Sequence, residues 1–211
     1  MLAALFALIV TASAYADTTL YTQPYDNNAY LNASQNDVGG QGNFATTYDN
    51  WNISPGGLYT VNSVEFTGGY MQGSAGNITG WTVNVYFDSG TGTPGKLQHT
   101  AHISGNGGET LLSGNIYTYD LTGLGFQELS GIPYWVSVVP DLTLSNGEWG
   151  WATGTGGDGK AYQTYFGNNI VLPNDQAFTL LGTTQVPEPG TLVMLGTGVI
   201  GLAGAIRRKL F

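Results

Sequence analysis

The stretch WTVNVYF, from Trp81 to Phe87, decides how this chain folds. In an extended chain Trp81, Val83, Val85 and Phe87 point one way, and Thr82, Asn84 and Tyr86 the other. That is a period of two, the pattern of a strand with one face in a core and one in water. Asp88-Ser89-Gly90 ends the run. A turn over Thr91 to Gly95, containing Pro94, leads to Lys96–Ile103, where Leu97, Thr100 and Ile103 do not alternate cleanly. Outward from this pair, further strands are predicted at Thr18–Thr22, Ala45–Trp51, Tyr59–Thr67, Asn115–Leu121, Tyr134–Val139, Ala161–Phe166 and Ala177–Leu181. Gly, Asn, Asp and Ser turns separate them, and no helical period appears. About eight or nine short strands with aromatic and β-branched residues predict an all-β domain, an antiparallel β-sandwich of jelly-roll-like form. A solenoid would need a fixed-period repeat, and none is found.

The two ends read differently from this body. Residues 1–16 form an expected signal peptide: Met1 to Val10 is almost wholly apolar, and Ala14-Tyr15-Ala16 has the small-x-small pattern of a signal peptidase site, with cleavage after Ala16. No Lys or Arg precedes the apolar run, which departs from the usual signal pattern. At the other end, residues 191–206 carry no charge and are followed by Arg207, Arg208 and Lys209. A helix of that length is about 24 Å long, short against a hydrocarbon layer of about 30 Å. Snorkelling of the three cations makes a transmembrane helix feasible and places its C-terminus in the cytoplasm.

Val186-Pro187-Glu188-Pro189, the apolar segment and the terminal Arg-Arg-Lys resemble the PEP-CTERM sorting signal of exported proteins in Gram-negative bacteria that make exopolysaccharide. The resemblance implies that Pro187, Glu188 and Pro189 are the recognition triplet of residues 186–211. It also implies an exosortase-like membrane enzyme as partner, and an inner-membrane-anchored precursor on the way to the cell surface or extracellular matrix. Weaker likenesses in the body, among them "YDNW" at 48–51, "VNSVEFTGGY" at 61–70 and "WTVNVYFDSGTGTPG" at 81–95, resemble the β-sandwich domains that precede such signals. They imply a fold and no shared activity.

Between these ends lies one domain, residues 17–185. It holds 13 acidic residues against Lys96 and Lys160, a net charge near −11. Such a surface repels phosphates, so no nucleic-acid partner is expected. Cysteine is absent, and an exported fold without disulfides must rely on its core or on bound ions.

Catalytic patterns are sparse. His99 and His102, the only histidines, fall on opposite faces of a strand. The loop GTGGDGK, 154–160, lacks the Ser or Thr and the strand-loop-helix setting of a phosphate loop and reads as a turn. Glu65, Glu128, Asp141 and Glu148 read as surface carboxylates. Two leads remain. Loops rich in Asp, Asn and Gly supply the oxygen ligands that calcium takes, making Asp26, Asp37, Asp49 and Asp158 the candidates for a structural calcium, with no cofactor otherwise required. Tryptophan and tyrosine can stack on the apolar faces of sugar rings. Trp149 and Trp151, which share a face if extended, are the preferred carbohydrate-binding pair, followed by Trp51 and Trp135. The expected function is therefore non-catalytic: an exported envelope or matrix protein binding exopolysaccharide. A polysaccharide-acting hydrolase and a structural surface protein with a protein partner are the alternatives.

Overall fold

In the computed structural model, residues 16–54 and 57–184 are described, together with Gly196 and Gly198. The chain enters as β1 (Thr18–Gln23), β2 (Leu31–Ala33), β3 (Gln35–Asp37), β4 (Gly42–Trp51) and the 16-residue β5 (Leu58–Gly73). It continues through β6 (Gly80–Asp88), β7 (Pro94–Ser104), β8 (Thr110–Ser113), β9 (Ile116–Leu129) and β10 (Tyr134–Asp141). A single 3-10 turn, Leu144–Asn146, precedes β11 (Gly147–Gly154), β12 (Ala161–Tyr165), β13 (Asn168–Leu172), β14 (Asp175–Gln176) and β15 (Phe178–Thr184).

These strands form two sheets. The larger runs β1-β15-β5-β11-β14, with β9 also on β5, β8 on β9 and β2 on β11. The smaller runs β13-β12-β4-β3-β10-β6-β7. Their facing sides meet in an aromatic core. Phe66 stacks on Tyr119 at 5.1 Å and meets the edges or faces of Trp81, Trp149 and Trp151 at 5.0, 6.1 and 6.4 Å. Trp81, Val83 and Val85 are buried there, as the alternation predicts. Phe87 departs from the pattern: β7, which carries extra residues opposite the end of β6, loses register there, and the ring lies 37 % exposed against Tyr134.

The expectation of an antiparallel jelly-roll sandwich followed by a transmembrane helix is corrected in both parts. All-β it is, but the sheets are partly curled into a half-barrel. The chain leaves the larger sheet at Ala33, the end of β2, and enters the smaller at Gln35, the start of β3. Ser34, fully buried between them, ties the two sheets: its N–H donates to Trp149 O, its Oγ donates to Val138 O at 2.7 Å and accepts from Thr47 N. Extra residues in β1, β5, β7 and β9 shift the register, add twist and curl the strands. On the far side β7 and β9 approach through side chains, with His99 stacked on Phe126 at 5.0 Å and no ladder between them. Pairing is also not wholly antiparallel, since Asp141 of β10 pairs in parallel with Asn36 of β3.

Among the described residues no helix is long and apolar enough to cross a membrane. Within 191–206 only Gly196 and Gly198 are described. The transmembrane helix, and the inner-membrane-anchored precursor that depended on it, are accordingly withdrawn. The signal peptide through Ala14, the triplet Pro187-Glu188-Pro189 and the cations Arg207, Arg208 and Lys209 lie outside the described residues.

Candidate functional site

The tryptophans expected to meet sugar are instead in the interior. Trp149 and Trp151 are 0 % exposed, and Trp51 and Trp135 only 2 %. Trp149 and Trp151 share the inward face of β11, as an extended reading requires, but that face is the core. Trp149 Nε1 donates to Tyr119 Oη at 3.1 Å and Trp151 Nε1 to Ala177 O at 2.9 Å. Trp135 Nε1 donates to Asp88 Oδ2 at 2.8 Å, and Trp51 stacks on Tyr134 at 5.0 Å. None offers a face to a ring in solvent, which corrects their assignment as carbohydrate platforms. Large aromatics are the efficient filling for two curled sheets, and alternation alone does not say which side of β11 is covered.

What the surface does offer is a cleft of about 400 Å³ on the outer face of the larger sheet. Its walls are Pro24-Tyr25 on one side and Gly108–Thr110 on the other, and its floor is β15, β5 and β9. Strand register sets the floor in rows. Thr22 pairs with Thr179, Thr179 with Glu65, and Glu65 with Asp120. In the next row Thr67 pairs with Thr118, which pairs with Thr110. Residues directly opposite on adjacent strands point to the same side of a sheet, so hydroxyls and two carboxylates line one surface. Thr22 and Thr179 share a hydrogen bond of 2.8 Å between their hydroxyls. Glu65 and Asp120, both exposed, form no ion pair and no side-chain hydrogen bond among the described residues. Like charges directly opposite cost stability. A ligand donating hydroxyl hydrogens to them would relieve that cost, whereas an anionic one would add to it.

The four calcium candidates separate into two kinds. Asp26 and Asp37 each tie their own turn to a distant loop or strand by accepting hydrogen bonds. Burial pulls the Asp26 carboxyl up, but hydrogen bonds from Asn28 and Thr153 outweigh it and leave the group below the usual carboxylate range. Asp37, accepting from the N–H groups of Gln41, Leu144 and Gly39, is likewise held low. Asp49 and Asp158 come together instead. Asn50 bridges them, its N–H donating to Asp49 Oδ1 at 2.6 Å and its Nδ2 to Asp158 Oδ2 at 2.9 Å. Asp175, which drew no attention in the sequence, joins them from β14. It accepts from the N–H groups of Gly157, Gly159 and Lys160 at 2.9, 2.7 and 3.2 Å, so the glycine loop is indeed a turn, and an aspartate closes it. Asp49 is 0 % exposed. Burial first, then the charges of Asp175 and Asp158, push its carboxyl well above the usual range, against the opposing bonds from Gln176 and Asn50. Among the described residues no three His, Cys, Asp or Glu side chains are already gathered as a metal cage.

The remaining carboxylates also divide. Glu128, read as a surface residue, is 1 % exposed, and neither of its oxygens meets a donor at hydrogen-bond geometry. Burial pushes it up to about 7, with Tyr134 and Gln98 nearby offsetting only part of the cost. His99 Nε2 lies 3.5 Å from its Oε1. His102, on the other side of β7, lies 3.8 Å from Asp141. A second, shallower cleft of about 300 Å³ is bordered by Tyr30, Tyr165, Gln163, Glu148 and Ile170.

Residues 185–209 match the PEP-CTERM protein-sorting motif. The chain therefore carries that motif behind a mostly-β body, consistent with an exported protein of the exosortase type and with a sorting enzyme of that kind as partner. No similar sequence is found among curated proteins. Among solved structures, a similarity is found to the crystal structure of the cysteine protease and lectin-like domains of Cwp84, a surface layer associated protein of Clostridium difficile. Identity is 12 % and the TM-score 0.45 over 68 % of this chain, which spans about a third (33 %) of that one. A likeness so distant bears on neither fold nor activity.

Proposed function

We propose that this chain is a non-catalytic exported protein, sorted to the surface or the extracellular matrix by an exosortase-type enzyme, whose β body binds exopolysaccharide. The observation that carries the proposal is the sorting motif at 185–209, C-terminal to an all-β body. Binding is assigned to the cleft over Thr179, Glu65, Asp120 and Thr118, because its free acceptors and hydroxyls suit a polyhydroxylated chain. The carboxylates and the net charge near −11 of residues 17–185 favour neutral sugars over uronates.

One observation supports a second reading, polysaccharide hydrolysis. Glu65 and Asp120 are paired across adjacent strands, where Cβ atoms stand about 5 Å apart, and glycosidases work with two carboxyl groups flanking the scissile bond. One experiment separates the two. Glu65→Gln with Asp120→Asn should weaken retention on immobilised exopolysaccharide, while wild-type protein releases no new reducing ends from it. Unchanged retention would remove the cleft from the account; reducing ends released by wild type and lost in the double variant would establish the hydrolase.

A further inference from the structure

Four aromatic residues line the cleft on the larger sheet, and one of them is open to it. Phe66, Tyr119 and Phe178 are 3, 2 and 2 % exposed and belong to the core. Tyr25, in the wall, is partly exposed. Its hydroxyl is turned back to its own loop, where Oη accepts from the N–H of Ala29 at 2.9 Å. With the hydroxyl engaged there, the ring is what Tyr25 offers to a ligand. The wall across from it is bare: Gly108 has no side chain, and Thr110 Oγ1 donates to Gly108 O at 2.9 Å.

The loop that carries Tyr25 is held in an unfavourable conformation. Asn27 and Ala29 have φ of 65° and 54°, a region that residues with a Cβ enter at a cost. Asparagine tolerates it; alanine gains nothing from it. Such strain persists only where the surroundings fix it, and here they do. The Asp26 carboxylate accepts from Asn28 N, Asn28 Nδ2 and Thr153 Oγ1 at 2.9, 3.0 and 2.7 Å. Backbone bonds complete the tie: Asp26 N donates to Thr153 O, Thr153 N to Tyr30 O and Thr155 N to Pro24 O, at 3.2, 3.1 and 3.0 Å. A ring mounted on so braced a loop loses little freedom when a ligand stacks on it. A loop that merely joined β1 to β2 needs no such conformation at Ala29.

We propose that Tyr25 is the stacking platform of the cleft and that its ligand is an uncharged pyranose standing on its rim. The apolar C–H face of the sugar lies on the Tyr25 ring, and its hydroxyls donate to Glu65 and Asp120 on the floor. This rests on the reading of the cleft as the exopolysaccharide site. Wall and floor together set the chemistry. An aromatic wall takes an apolar face. A floor whose carboxylates have no cation partner among the described residues takes donors and repels acids. A pyranose carries both parts, C–H bonds on its faces and hydroxyls round its rim. A flat aromatic ligand lacks the rim, and a uronate meets like charge at the floor.

Binding of the full-length protein to soluble exopolysaccharide from its own host tests this, with unfolding temperatures to show that each variant is folded. Tyr25→Ala should weaken binding about ten- to thirtyfold. Tyr25→Phe, which keeps the ring, should bind within about threefold of wild type. Tyr30→Ala, in the same loop but bordering the second cleft, should bind as wild type does. Tyr25→Trp adds a signal that does not depend on loss. All five native tryptophans are at most 2 % exposed, so emission from an exposed indole reports position 25 alone. That emission should shift to the blue when the polysaccharide is added, and should not shift when Glu65→Gln and Asp120→Asn are also present. Wild type that binds no exopolysaccharide would overturn this platform and the reading of the cleft together. Binding lost with Glu65→Gln and Asp120→Asn but intact in Tyr25→Ala would overturn the platform and leave the cleft. Equal loss in Tyr25→Ala and Tyr25→Phe, or no emission shift in a Tyr25→Trp protein that binds, would do the same.

Discussion

Glu128 illustrates what one side chain can conceal. Flanked by Gln127 and Leu129 near a turn, it reads as a surface carboxylate, yet β9 turns it under β7, where it meets His99, Tyr134 and Gln98. Its carboxyl, ordinarily 4.5, stands at about 7 in the folded protein. The folded state therefore holds a proton that the unfolded chain releases between those values. Stability from this group is present below about pH 4.5, declines as pH rises through the window, and is lost above about 7. Glu128→Gln should raise the unfolding temperature at pH 8, by a free energy on the order of 1–3 kcal/mol, and have little effect at pH 4. Equal effects at both pH values would show that the carboxyl is not carried protonated. The tryptophans teach the converse. Their alternation in Trp149-Gly150-Trp151 correctly places both on one face, but only packing shows that this face lies against Phe66 and Phe178. Even Gly68 is shaped to it, since a Cβ there would collide with the Trp149 ring.

At the scale of elements, the strands marked by runs of β-branched and aromatic residues were legible: β1, β4, β5, β6, β9, β10, β12 and β15 all overlap their predicted ranges. β7 also forms, and the register shifts opposite Val85 and Tyr86 explain why its alternation is broken. Those that escaped lack that signal. β2 and β3 bury Asn32, Gln35 and Asp37, residues that in sequence mark a turn. β11 carries Gly147, Gly150 and Gly154 in eight residues, a composition that in sequence reads as turn. β8 and β13 are short edge strands, mostly exposed. The missed β2–β3 pair is also what makes the half-barrel, and no periodicity reports that a chain changes sheet. Ser34 holds this crossing. Ser34→Ala removes the donor to Val138 O and the acceptor of Thr47 N–H, both buried. The loss should be about 1–3 kcal/mol in urea unfolding, and a change within error of zero would mean that the crossing is held by the backbone alone.

For the whole molecule, the address was more legible than the site. The Pro-Glu-Pro triplet with its cations is a linear signal, readable without a fold, and residues 185–209 bear it out as a PEP-CTERM motif. The cleft is not linear: Glu65, Thr118, Asp120 and Thr179 come from three strands, and only strand register brings them into rows. Asp175 was invisible for the same reason, since its partners are backbone N–H groups 15 to 18 residues away. Charge links the two scales. An acidic body with Lys96 and Lys160 as its only basic residues repels phosphate and uronate polymers, so the proposed sugar ligand is a neutral one.

In the proposed function a sorting enzyme reads the C-terminal motif and the β body is what reaches the outside. Intact mass of the protein recovered from the extracellular fraction of its own host tests this directly, in wild type and in a variant with Pro187, Glu188 and Pro189 all replaced by alanine. Wild-type extracellular protein should have lost the segment following the triplet, and the variant should retain it and be depleted from that fraction. Identical masses and identical release for the two proteins would contradict it.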